Sequence, residues 1–162
     1  MPRRRTHRTV GVAAGAVVAA VRTDPNDDGL ARLLVALGGG IGASFTYMLP
    51  DSFEPATSFN HRKFFHSVAV GATVPAISAD LIRQWESHWR LVAADARVKS
   101  SDLQRTQAER LFWLAVEAAA WVLGGVLSGA VAAYVSHLVL DLGDPSGLPL
   151  LGLALNEKAA PV

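Results

Sequence analysis

The chain has 162 residues, enough for one domain, and 51% of them are hydrophobic against 18% charged. An ordinary soluble domain carries about 25% charged residues, so with a mean hydropathy of +0.27 this composition falls on the membrane side. The absence of cysteine excludes disulfide scaffolds and thiolate metal sites, and a net charge of +1 with scattered Lys and Arg offers no basis for a nucleic-acid partner.

Four apolar segments are read in chain order. The first, residues 9 to 21, follows "MPRRRTHR" and has the basic start, short apolar stretch and small residues of a signal peptide. Cleavage would remove His7; the favoured expectation keeps the segment as a first helix. The turn "RTDPNDDG" (22 to 29) then leads into "LARLLVALGGGIGASFTYML" (30 to 49), which is close to the ~20 residues that span a bilayer core.

A polar loop, "PDSFEPATSFNHRK" (50 to 63), precedes the third apolar segment (64 to 82), in which Pro75 predicts a kink. Residues 83 to 110 are polar, with Trp85 and Trp89 on one face, and are expected to form an interfacial helical linker. It should break near "KSSD", where Ser101 or Asp102 could cap a new helix. The fourth apolar segment covers about 111 to 142.

Continuous apolar character without a two-residue period, rich in Ala and Leu, favours helices over strands. Small residues four apart recur in every segment: Gly11 and Gly15, Gly38 and Gly42, Ser67 and Gly71, Gly125 and Gly129. That spacing lets helix backbones approach closely in lipid. The expected fold is therefore all-α, a multi-pass transmembrane bundle of about four helices. It forms a single membrane-embedded domain over residues 1 to 155, with 156 to 162 a flexible tail.

Alternate crossings bring polar residues to one face. His7 opens the first helix, Asp51 ends the second, His61 and His66 open the third, and His137 and Asp141 close the fourth, while all four tryptophans fall toward the other side. Within "SHLVLD", the i, i+4 spacing places His137 and Asp141 on one helical face. Imidazole and carboxylate ligands suit zinc, manganese or iron. An ion so held acidifies a bound water near neutral pH, which points to hydrolysis.

Each residue also has a structural reading. His137 and Asp141 could be an interhelical hydrogen-bonded pair, His66 a core histidine, His7 part of a basic arm and Asp51 a turn residue. Arg62 and Lys63 could be interfacial anchors, and His88 and Glu117 are read as structural. Ionisable groups inside membrane helices are costly and more often functional.

The motifs "TH7RTVG", "LPD51SFEP", "H61RKFFH66S" and "AYVSH137LVLD141LGDPSGLPLL" resemble, in order, those of the YdjM-like (LexA-regulated type) family of membrane-bound metal-dependent hydrolases, over roughly residues 6 to 152. The closing "DPSGLPLL" is the most specific piece. The resemblance implies a metal site of His7, Asp51, His61, His66, His137 and Asp141 holding one or two divalent ions, with zinc favoured. It also implies a distant likeness to zinc-dependent phospholipases C and nucleases, hence hydrolysis of a phosphoester such as a phospholipid headgroup.

In that reading Asp51 or Glu54 handles the proton, Arg62 and Lys63 attract the phosphate, and the protein is an integral multi-pass protein of the cytoplasmic or inner membrane whose partners are membrane lipids. No protein partner is identifiable. Where the family carries "DxDH", this chain reads Asp51, Ser52, Phe53, Glu54, and the family's "HRGxTH" has Lys63 and Phe65 in place of glycine and threonine. The alternative is a non-catalytic structural or partner-binding membrane protein with a degenerate metal site.

Overall fold

The structure is a computed structural model and describes residues 4–53 and 67–142. All regular structure in these residues is helical. α1 covers Arg4–Val21, α2 Gly29–Thr46, the short α3 Leu49–Phe53, α4 Val68–Ser101 and α5 Gln107–Leu142. Helix starts follow local chemistry. Asp28 caps α2 by accepting from the Ala31 N–H at 2.7 Å, and Ser67 caps α4 by accepting from the Val70 N–H at 3.2 Å.

α5 is the hub, packing against α1, α2 and α4. Its contact with α2 is backbone to backbone. A β-carbon at Gly38 or Gly42 would collide with the carbonyls of Val122 and Val126, and one at Gly125 or Gly129 with those of Val35 and Gly39. Gly15 brings α1 into the same junction, where a β-carbon would lie 2.5 Å from that of Ala43 and 2.8 Å from the Gly39 carbonyl oxygen. Three of the four small-residue pairs thus lie in the α1/α2/α5 interface; in the fourth, Ser67 caps α4 and Gly71 meets the side chain of Leu138. Ala19, Ala31, Val35, Ala93, Ala120 and Trp121 form a core cluster farther along, with Trp89 against it.

The outward face of α2 is apolar. Leu30, Leu33, Leu37, Ile41 and Phe45 are exposed at helical spacing, a continuous apolar stripe suited to lipid. Two helical stretches, Gly29–Phe53 and Gln107–Leu142, are long and apolar enough to cross a membrane. The expected count of about four is therefore lowered to two among the described residues. α1 carries Arg4, Arg5 and Arg8 in its first turns, and Asp80, Arg83 and Glu86 interrupt α4 after a short apolar start.

Two boundaries differ from expectation. Residues 83–101 continue α4 without a break through its packed face. The break does fall after Ser101, but the new helix is capped by Thr106. The Glu109 N–H donates to Thr106 Oγ1 at 3.3 Å, and Glu109 Oε2 accepts from the Thr106 N–H at 2.8 Å, a reciprocal capping box.

The end of the bundle that holds the tryptophans is tied by ion pairs. Arg22 grips Glu86 with two bonds of 2.7 and 2.9 Å, and Arg90 reaches Asp24 at 3.3 Å and Asp27 at 2.9 Å. Arg97 donates to both Asp28 and Glu117 at 2.6 Å. Glu117 is buried, so this pair satisfies a carboxylate that the apolar face of α5 would otherwise strand. His88 meets the edge of Trp89 at 5.2 Å between ring centroids. Both residues belong to the scaffold end.

Candidate metal centre

At the opposite end, chain segments from α1, α3 and α5 converge. α1 carries His7 inward while Arg5 and Thr6 stay exposed. After α2, the Tyr47-Met48 turn leads into α3, whose Pro50 is buried and whose Asp51 faces α5. The α5 residues Tyr134, His137, Leu138 and Asp141 follow at helical spacing and are all buried.

His137 is the centre of the cluster, with 1% of its surface exposed. Its Nδ1 lies 2.7 Å from the carbonyl oxygen of Tyr47. A carbonyl only accepts, so Nδ1 carries the proton and donates. The carbonyl at the C-terminal end of α2 therefore sets the tautomer and ring orientation, as outer partners of metal-bound histidines do.

That bond turns His137 Nε2 toward two carboxylates, with Asp51 Oδ1 and Asp141 Oδ2 each at 3.5 Å. His7 Nε2 stands 3.6 Å from Asp141 Oδ1, and the two imidazoles stack with centroids 4.2 Å apart and planes at 30°. A neutral imidazole with Nδ1 protonated presents a lone pair at Nε2, and ionised carboxylates are acceptors only. Lone pairs directed together in a buried pocket are satisfied by a cation, either a metal ion or a second proton on His137 Nε2.

The donor set fits a divalent ion. Ligand atoms about 2.1 Å from a tetrahedral ion stand about 3.4 Å from one another; His137 Nε2 lies 3.5 Å from Asp51 Oδ1 and from Asp141 Oδ2, while His7 Nε2 lies 3.6 Å from the other Asp141 oxygen. One ligand atom each from His7, His137 and Asp141 lies within 4.8 Å of the others. Asp51 sits at the rim, its side chain 28% exposed against 4% for Asp141.

Of the predicted site residues, the structure brings together His7, Asp51, His137 and Asp141. Glu54, His61, Arg62, Lys63 and His66 lie outside the described residues. Phe53, which stands where the family has its second acid, is exposed, and Ser52 before it bonds the Met48 carbonyl at 2.8 Å, so neither supplies that acid to this cluster. The contribution missed from sequence is the Tyr47 carbonyl. A main-chain group at a helix end leaves no residue-type signal.

Fold and site define a class, a small all-helical membrane protein with a His/Asp cluster able to hold a metal ion at one end of its bundle. The chain belongs to the YdjM inner membrane protein family, whose sequence profile matches residues 1–152. No curated protein and no solved structure matches it.

Proposed function

We propose that this protein is a multi-pass inner-membrane hydrolase that depends on a divalent metal, zinc being favoured, and cleaves a phosphoester in a phospholipid headgroup. The observation that carries the reading is His137 Nε2, turned by the Tyr47 carbonyl toward Asp51 and Asp141 at 3.5 Å each. α1 and α2 have 18 residues each, about 27 Å at 1.5 Å per residue, near the ~30 Å of a hydrocarbon core. In this reading α1 and the apolar start of α4 cross beside the two candidate spans of α2 and α5, and the cluster lies at one membrane face, at headgroup depth.

His7, His137 and Asp141 would hold the ion, which when bound supplies an acidified water and polarises a phosphoryl oxygen. The burial of these three excludes bulk water from the ligand side. Asp51, the more exposed carboxylate, would accept a proton from the attacking water. His61 and His66 extend the ligand set, as the family pattern implies; Glu54, which stands where the family has histidine, offers a second proton acceptor, and Arg62 with Lys63, the latter in place of the family's glycine, draws the phosphate.

The rival reading is a non-catalytic membrane protein in which a protonated His137 between Asp51 and Asp141 fastens α5 to α3. The specific observation in its favour is Phe53, an exposed apolar side chain that stands where the family has its second acid. The test is release of headgroup phosphate from phosphatidylethanolamine and phosphatidylglycerol nanodiscs. Turnover that a chelator removes, zinc restores and Asp51→Asn lowers by about 10²-fold or more supports the hydrolase. Chelator-insensitive or absent turnover on these lipids and on generic phosphodiesters, in protein that holds metal, leaves the structural reading.

A further inference from the structure

α1 and α4 both lean on α5 and leave a cleft between them. It is a groove of about 500 Å³, within the ~300–1,000 Å³ usual for small-molecule sites. Its walls include Val10 and Val18 of α1, Ala79 and Ile82 of α4, and Ala132 and Val135 of α5. The floor is thus a candidate membrane span, where an occupant meets hydrocarbon rather than water.

The groove also has direction. Along α5 it runs from Ser128 to Leu140, twelve residues or about 18 Å. One leaflet of a ~30 Å core is about 15 Å deep, so the length matches one acyl chain. At one end Ser136 and Leu140 are the chain neighbours of His137 and Asp141. Apolar wall and polar cluster are continuous along a single helix.

We infer that this groove seats one acyl chain of a phospholipid whose headgroup lies at the His7/His137/Asp141 cluster, making an intact membrane lipid, rather than a soluble phosphoester, the molecule the site receives. The inference rests on the phosphoester reading of that cluster. It also explains why α1 and α4 stand apart while α1, α2 and α5 are packed backbone to backbone.

The experiment uses the full chain in phosphatidylethanolamine/phosphatidylglycerol nanodiscs with a trace of phosphatidylethanolamine carrying a diazirine in its palmitoyl chain. After photolysis, labelled residues are mapped by mass spectrometry. The α2 stripe of Leu30, Leu33 and Leu37 supplies the internal standard for bulk lipid contact. Labelling of the groove walls should exceed that of the stripe several-fold. Ala132→Phe with Ala79→Phe should remove the excess while metal content stays unchanged, and the milder Ala132→Leu should lower it in part.

Equal labelling of groove and stripe, or an excess that survives filling of the groove, overturns the inference. Groove-selective labelling in protein that neither binds metal nor turns over lipid overturns the hydrolase reading and leaves the acyl seat standing. Bound metal with uniform labelling does the reverse.

Discussion

Gly15 sits where three helices meet, and replacing it by alanine tests how closely they are packed. The added methyl would lie 2.5 Å from Ala43 Cβ, 2.8 Å from the Gly39 oxygen and 3.0 Å from the Gly129 oxygen. Two of these neighbours are backbone and cannot rotate away, so α1 must move outward by about 1 Å to restore ordinary contact. Overpacking of this kind costs about 1–3 kcal/mol, and the helix-propensity gain of alanine over glycine returns about 1 kcal/mol.

Gly40→Ala is the matched control, because its methyl would meet nothing nearer than Val12 Cγ1 at 3.7 Å. That variant should gain the propensity term alone. The difference between the two variants isolates packing at about 2 kcal/mol, read by reversible unfolding in mixed detergent micelles. If Gly15→Ala is stabilised as much as Gly40→Ala, α1 does not pack against α2 and α5 as described, and His7 loses its support.

Arg97→Ala should destabilise the protein by about 1–3 kcal/mol by stranding buried Glu117, toward the low end because Arg97 is itself half exposed. The double variant with Glu117→Gln should recover part of that loss. Asp28 accepts from the Ala31 N–H and pairs with Arg97, which holds its carboxyl below the usual value of 3.8. Its contribution is therefore present above about 3.8, and is lost as pH falls through the depressed folded value. Asp28→Asn keeps a capping side chain, so it should flatten the acid limb of a stability-versus-pH curve without removing the cap. Thr106→Ala should cost about 1 kcal/mol in the same unfolding assay by opening the capping box with Glu109.

The parts of the fold that depend on residue type were legible in the sequence. Helices followed from unbroken Ala- and Leu-rich runs, and the paired small residues foretold where backbones touch, down to Gly125 and Gly129 against α2. Alternation of segments was enough to bring His7, Asp51, His137 and Asp141 together. What escaped depends on partners. The polar stretch 83–101 stays in α4 because Arg90 and Arg97 find Asp24, Asp27 and Asp28, brought near by the α1–α2 turn, and Glu117, presented by α5. Thr106 rather than Ser101 or Asp102 opens α5 because only Thr106 has a glutamate three residues on, at Glu109. The fixing of His137 by a carbonyl at the end of α2 has no signature in any side chain.

The claim that binds fold to function is that the cluster at the end of α5 holds a metal ion. Elemental analysis of detergent-purified protein beside His137→Ala and Asp141→Ala variants measures it directly, with folding of each variant confirmed by helical circular dichroism. About one or two divalent ions per wild-type chain, lost in both variants, is the predicted result. Wild-type protein without stoichiometric divalent metal, after purification free of chelator, would contradict the account.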